Sequence, residues 1–148
     1  MEFVQPIRDK KTLETMKKVL RSNLRDYCLF VLGINSGLRI SDLLLLKVSD
    51  VNDNGKIKDR IVIREKKMNK LKDFPLGETS KKALKEYVVT LSPEQALFAS
   101  RKGGEAITRQ QAYRILNDAA RSIGIKEKIG THSLIKTFGY HAFKAGVD

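Results

Sequence analysis

The stretch 35-NSGLRISDLLLLKVSDV-51 decides how this sequence folds and where its chemistry is expected. It overlaps the end of an apolar run, 25-RDYCLFVLGINS-36. A segment that is apolar nearly all round predicts a central buried helix. Gly37 stands where helices commonly end in a left-handed residue, so we expect the helix to stop there. The SDLLLLK that follows predicts a short second helix beginning at Ser41 or Asp42.

Arg39 lies between the glycine turn and this short helix. A rigid turn fixes the fork of an arginine, and backbone N–H groups at a helix start favour anions, so the position suits a phosphate. Asp42 follows three residues later and is expected to orient the guanidinium. The same spacing also fits an ordinary Arg–Asp pair at the surface, and the residues alone leave both interpretations open.

Further helices are predicted on both sides of this centre. The strongest is 107–124, where Thr108 and Gln111 form a capping box and Gly124 ends the helix. Asp9 is expected to cap the first helix of the chain. The predicted ranges are 9–22, 79–91, 107–124 and about 132–145.

Two alternations of apolar and polar residues, 56-KIKDRIVIRE-65 and 70-KLKDFPLG-77, predict the strands of one β-hairpin. Pro75 is expected to end the second strand or to place it at an edge. Helices, one hairpin and then more helices predict a mainly helical α+β fold with a small antiparallel β-hairpin sheet. The length of 148 residues fits a single domain over residues 1–148.

The charge favours a polyanionic partner. The sequence holds 29 Lys and Arg against 17 Asp and Glu, a net charge of +12. Basic side chains bind nucleic acid without sequence preference, because neutralising phosphates releases counterions. A lysine-rich hairpin tip can enter a DNA groove, although most such runs are only solvated charge. The cations at the predicted tip are Arg64, Lys66, Lys67, Lys70 and Lys72.

Other classes of partner are not expected. His132 and His141 stand nine residues apart without a nearby cysteine, which matches no common metal-site spacing. No apolar run approaches the roughly 18 residues of a membrane span. Cys28 lies in the apolar run YCLFVLGI, and a single buried, reduced thiol is typical of a cytoplasmic protein.

Four blocks resemble the catalytic domain of the tyrosine recombinases, also called phage integrases. They are GLRISDLLLLKVSDV, KKMNKLKDFPLG, LFASRKGGEAITRQQAYRILNDAARSIGI and GTHSLIKTFGYHAFKAGVD, and together they cover nearly the whole chain. The resemblance implies a mostly helical fold with a small β-hairpin sheet. Type IB topoisomerases share the phosphate chemistry, but GLRISDLLLL and TRQQAYRIL are more similar to integrases.

The resemblance also implies the chemistry of site-specific recombination, such as the integration of a phage or mobile element. In this family a tyrosine attacks a DNA phosphodiester, forms a 3′-phosphotyrosyl bond and releases a 5′-hydroxyl, without metal or cofactor. Two arginines clamp the pentavalent phosphate, a hairpin lysine protonates the leaving oxygen, and histidines assist proton transfer. The implied partners are double-stranded DNA and other recombinase protomers, with no membrane and no small-molecule cofactor.

Matched to the family pattern, the first arginine is Arg39 and the histidine of the H-x-x-R box is His132. The hairpin lysine is Lys67, with Lys66 as the next candidate. Further DNA contacts are expected from Lys66, Lys70, Lys72 and Arg109.

One family position departs from the pattern. The second arginine should stand three residues after His132, and Ile135 stands there instead. Isoleucine supplies neither charge nor donor, and by analogy with one oxyanion-hole donor the loss is about 2.7–4 kcal/mol of transition-state binding. Lys136 lies about 100° further round a helix and is not expected to substitute. A natural decayed copy and an engineered change both fit this difference.

The family's nucleophilic tyrosine follows the block that ends in AGVD. Tyr27, Tyr87, Tyr113 and Tyr140 all precede this point, and Tyr140 is expected to pack as a core aromatic. The resemblance therefore suggests a C-terminally truncated catalytic domain without the family's N-terminal core-binding domain, and no DNA cleavage by this chain alone. Two alternatives stay open, a non-catalytic DNA-binding or inhibitory module and an enzyme that takes its tyrosine from another subunit.

Overall fold

The computed structural model describes residues 9–64 and 68–126. It is mainly helical with small antiparallel sheets, which confirms the predicted α+β fold. None of the helices in these residues is long and apolar enough to cross a membrane. In chain order the elements are α1 (Lys10–Leu20), α2 (Leu24–Ser36), α3 (Ile40–Leu43), α4 (Val48–Val51), β1 (Asn52–Asp53), β2 (Lys56–Ile57), β3 (Arg60–Arg64), β4 (Leu71–Pro75), α5 (Glu78–Val88) and α6 (Arg109–Ser122).

Helix α2 forms the centre of the core, as predicted. Every residue from Cys28 to Ile34 is buried, because α1 and α5 pack against it. The helix begins at Asn23, whose side chain accepts a hydrogen bond from the Asp26 N–H at 3.2 Å. It ends at Gly37, which has φ 72° and ψ 10°. That left-handed conformation costs glycine little and confirms the predicted end.

The predicted caps of the outer helices are confirmed. Asp9 Oδ1 accepts a hydrogen bond from the Lys11 N–H at 3.0 Å at the start of α1. At α6 the Gln111 N–H donates to Thr108 Oγ1 at 3.1 Å, and the Thr108 N–H donates to Gln111 Oε1 at 2.8 Å. This reciprocal pair satisfies two N–H groups that the helix start would otherwise leave without partners.

The predicted start of α3 is wrong by one or two residues. The helix begins at Ile40, with Arg39 at the N-cap position. The Arg39 carbonyl accepts hydrogen bonds from the N–H groups of Asp42 and Leu43, both at 3.0 Å. Ile40 and Leu43 are both buried, and packing of Ile40 in the core explains why the helix begins at this residue.

The prediction of a single hairpin is also wrong, because the predicted strand 56–65 breaks in two. Its first part, β2, pairs with β1 across a turn in which Asn54 has φ 50° and Gly55 has φ 93°. Asn-Gly is the preferred pair for such two-residue turns, so the signal was present in VNDNGKI. Helix α4, which precedes this ribbon, was not predicted either.

The second ribbon pairs β3 with β4 and agrees with the prediction. Ile61 lies opposite Phe74, and both are buried on the face towards the core. Val62 points to the other face and is exposed. Pro75 is the last residue of β4 and lies opposite Arg60, so it ends the strand as expected.

The Cys28 thiol is predicted to be inert in the folded chain. Its Sγ donates to the Ala83 carbonyl at 3.3 Å, and burial raises its pKa to about 12. Only the thiolate reacts with a maleimide or disulfide reagent, and this pKa lowers its fraction about a thousandfold relative to an exposed cysteine. At pH 8 we expect labelling of the native chain to be at least a hundredfold slower than labelling in urea. Similar rates in the two states would contradict the central position of α2.

Candidate functional site

The backbone around Arg39 is fixed from both sides. Before it, the Leu38 N–H donates to Ser36 Oγ at 3.1 Å, next to the left-handed Gly37. Leu38 and Ile40 are each 2% exposed, whereas the arginine between them is half-buried. Two anchored apolar neighbours therefore hold Arg39 in place while its side chain reaches the surface.

The guanidinium of Arg39 makes no ion pair or side-chain hydrogen bond within residues 9–64 and 68–126. The predicted pairing with Asp42 is therefore absent from this part of the chain. Asp42 is 1% exposed, so it does not form a surface pair either. An arginine carries five N–H donors, and no described residue competes with an external anion for those of Arg39.

The cations predicted at the tip of the β3–β4 ribbon differ in their contacts and exposure. Arg64 Nη1 donates to the Asn69 carbonyl at 2.9 Å, so this arginine closes the loop. Lys72 lies opposite Ile63 on the core-facing side of the ribbon and is half-buried. Lys70 is exposed. Of the predicted tip cations in the described segments, Lys70 is the one best placed to meet a partner.

Several predicted site residues fall beyond the described ranges. The family pattern implies that Arg39, the hairpin lysine and the histidine act on one phosphate, and this stays a prediction. The same holds for the helix expected at about 132–145. The residues concerned are Lys66, Lys67, His132, Ile135, Lys136, Tyr140 and His141.

Three tyrosines lie in the described segments, and each has a different environment. The Tyr27 ring lies 5.0 Å from the guanidinium carbon of Arg21. Tyr87 Oη donates to the Leu97 carbonyl at 2.6 Å, and burial raises the pKa of this phenol to about 12. Tyr113 Oη is buried and has no hydrogen-bond partner within residues 9–64 and 68–126. The environment of Tyr87 therefore opposes the phenolate that a nucleophile requires.

Arg109, a predicted DNA contact, is the first residue of α6 and is exposed. Like Arg39, it has no ion pair in the part of the chain that the structure describes. Its neighbour Gln111 is engaged in the capping box, so the helix start presents Arg109 without disturbing the cap.

A second basic surface, which we call the α6 groove, was not identified from the sequence. It is an open groove of about 550 Å³. The sequence contained one signal for it, since two basic residues precede two glycines in 100-SRKGGE-105, as in an exposed turn. Its proximity to the start of α2 could not be read from sequence. The charged residues that line it are Arg25, Arg101, Lys102, Glu105 and Arg114.

Comparisons with known proteins agree on one family. A sequence model of the phage integrase family matches residues 7–148. The probable integrase/recombinase YoeC of Bacillus subtilis is 43% identical over 149 residues, which cover 100% of this chain and 80% of YoeC. Tyrosine recombinase XerC of Thermodesulfovibrio yellowstonii is 31% identical over 133 residues, but the match covers only 43% of XerC. The type 1 fimbriae regulatory protein FimE of Escherichia coli K12 is 34% identical, and 64% of FimE is covered.

Solved structures share the fold. The crystal structure of XerA recombinase superposes with a TM-score of 0.79 at 22% identity, covering 100% of this chain and 53% of XerA. Lambda integrase residues 75–356, bound to DNA, superposes with a TM-score of 0.75 at 18% identity, covering 98% of this chain and 53% of that one. This chain thus spans about half the length of these solved structures.

Replacing Arg39 is predicted to leave stability nearly unchanged. Because the side chain makes no cap, ion pair or hydrogen bond in the described segments, Arg39→Ala should change the free energy of unfolding by less than about 0.5 kcal/mol. The adjacent Ile40→Ala is the matched control, since it removes a buried side chain and should destabilise by about 2–5 kcal/mol. Urea unfolding measures both, and a comparable loss for Arg39→Ala would assign Arg39 a structural role.

Proposed function

Because the chain belongs to the phage integrase family of tyrosine recombinases, we propose that it binds duplex DNA and holds a backbone phosphate for site-specific recombination. The observation that carries this proposal is Arg39, an anchored, half-buried arginine with no ion pair in the described segments. The fixed backbone places this side chain beside the end of α2, and its N–H donors are not engaged by any described residue, so they are available to a phosphate.

In the proposed mechanism, Arg39 donates in parallel to two oxygens of the scissile phosphate. The interaction strengthens as negative charge accumulates on the pentavalent transition state, and this difference lowers the barrier. In the family reaction a tyrosine oxygen attacks the phosphorus and forms the 3′-phosphotyrosyl bond as the bond to the 5′-oxygen breaks. Lys67, or Lys66 in its place, would protonate that leaving oxygen, and His132 would assist proton transfer from the tyrosine. These last roles follow from the family pattern of the sequence.

Several exposed cations support DNA as the partner. Lys70 lies beside the hairpin tip, and Arg109 lies at the start of α6. Both are unpaired in the described segments and can neutralise phosphates at little desolvation cost. The half-buried Lys72 is a weaker candidate. The net charge of +12 adds long-range attraction that is independent of sequence.

Two solved structures that share the fold contain recombinases bound to DNA. XerH is seen bound to its difH substrate before cleavage, and lambda integrase is seen as a dimer on a COC′ core site. We propose that this chain likewise acts on duplex DNA together with other protomers.

A second candidate function is DNA binding without cleavage, as in an inhibitory module that occupies recombination sites. Ile135 favours it, because isoleucine stands where the family places its second phosphate-binding arginine. A site with one phosphate-binding arginine in place of two would still bind a phosphate in its ground state. It would stabilise the transition state less by about 2.7–4 kcal/mol, which is a factor of about 10²–10³ in rate.

Duplex binding is predicted to weaken steeply with salt. Each phosphate contact should contribute about −0.9 to the slope of log affinity against log salt concentration. Fluorescence anisotropy with a labelled duplex, titrated at several salt concentrations, measures this slope. Affinity that does not change with salt, or no binding at the lowest salt concentration, would contradict the proposal.

Restoring an arginine at position 135 is predicted to strengthen DNA binding. Ile135→Arg should lower the dissociation constant by about tenfold at moderate salt, because it adds one charge-assisted phosphate contact. Ile135→Met is the control that alters shape without adding charge. Trapping a covalent adduct of the chain with a nicked duplex would rule out the non-cleaving function.

A further inference from the structure

The turn before α6 is built to project basic side chains. Its base is closed by an antiparallel bridge between Ala99 and Ala106 and by the Ser100 N–H, which donates to the Glu105 carbonyl at 2.6 Å. Gly103 and Gly104 both have φ 79°, a conformation that other residues adopt at a cost. Arg101 and Lys102 lie at the exposed end of this turn. The charges are therefore displayed on a defined backbone.

The α6 groove runs between this turn and the first turns of α6. Ile107 and Ile115 contribute apolar surface to its lining, and Thr108 and Gln111 of the capping box also line it. Arg101 and Lys102 come from one wall and Arg114 from the other. Glu105 is the acidic residue among those that line it.

Of the four cations that line the groove, Arg25 is bonded to neighbouring residues of the chain, and the other three are available to bind a phosphate. Arg25 Nε donates to Asp26 Oδ1 at 2.9 Å, and its Nη1 donates to the Ala99 carbonyl at 3.0 Å. With a side chain only 17% exposed, Arg25 ties the base of the turn to the start of α2. Arg101, Lys102 and Arg114 are exposed and form no ion pair with any described residue.

The end of the groove that Arg25 lines is well separated from Arg39. Arg25 lies in the first turn of α2, whereas Arg39 lies just beyond its last turn. A helix of 13 residues is about 20 Å long, so the two positions are about 20 Å apart along α2. One phosphate cannot contact both.

We propose that the α6 groove is a second phosphate site, which holds a backbone phosphodiester of the same duplex away from the one at Arg39. This proposal rests on the proposed function, because it takes duplex DNA as the partner. Arg101, Lys102 and Arg114 donate to the phosphate oxygens, and the apolar lining accommodates the adjoining sugar. Contacts of this kind fix the register of the protein on the duplex and carry no base sequence information.

A lysine-rich surface elsewhere provides a matched control. Lys56, Lys81, Lys82 and Lys85 line a groove between the β1–β2 turn and α5. Lys81 is already ion-paired with Asp59, which leaves Lys82 and Lys85 as two exposed cations on one helix. Removing these two changes the net charge by the same amount as removing Arg101 and Lys102.

The experiment compares R101A/K102A with K82A/K85A in the full 148-residue chain, using the salt dependence of duplex binding. We expect R101A/K102A to weaken binding on the order of tenfold and to reduce the log–log salt slope by about 1.8, at ~0.9 per lost contact. Adding R114A to this double variant should reduce the salt slope by about 0.9 more. K82A/K85A should leave the slope unchanged, and thermal unfolding checks that every variant is folded.

The outcomes separate this inference from the proposed function. If the unmodified chain binds duplex DNA and both double variants lose affinity equally, only net charge matters and the α6 groove is not a site. If K82A/K85A has the larger effect, the lysine surface on α5 is the interface and the inference is wrong. If the unmodified chain shows no salt-dependent binding at all, the proposed function itself fails and the groove proposal fails with it.

Discussion

The burial of α2 is the constraint on which the rest of the structure depends. Because this helix is buried from Cys28 to Ile34, it cannot slide or rotate without opening the core. Its two ends are therefore fixed points. Gly37 and buried Leu38 place Arg39 beyond one end, and Arg25 ties the turn before α6 to the other. An apolar helix thus sets the spacing between two basic surfaces.

Features that depend on neighbouring residues could be predicted from the sequence. The end of α2 at Gly37 and the capping box of Thr108 and Gln111 each follow from interactions within a few residues. The break between β2 and β3 was missed, although Asn54–Gly55 carried the signal, because the alternation of 56–65 fits one strand equally well. The start of α3 was misplaced because the burial of Ile40 is decided by tertiary packing.

In the candidate site, too, features set by neighbouring residues could be predicted, and features set by tertiary packing could not. Arg39 was predicted as a phosphate ligand from local spacing, and the structure places it between two buried residues, Leu38 and Ile40. Its role as a phosphate ligand stays a prediction. The pairing with Asp42 was wrong because i,i+3 spacing cannot show which side chain the core will bury. The α6 groove could not be predicted, because it depends on a hydrogen bond from Arg25 to Ala99, 74 residues away. Such a contact exists only after the core has formed.

The most direct test of the claim that both ends of α2 face DNA is an NMR titration of the isotope-labelled chain with a duplex. If the claim is right, backbone amide signals of residues 37–41 and 100–109 will shift together as duplex is added, while those of residues 81–88 on α5 stay in place. Shifts confined to residues 81–88, or limited to one end of α2, would contradict it.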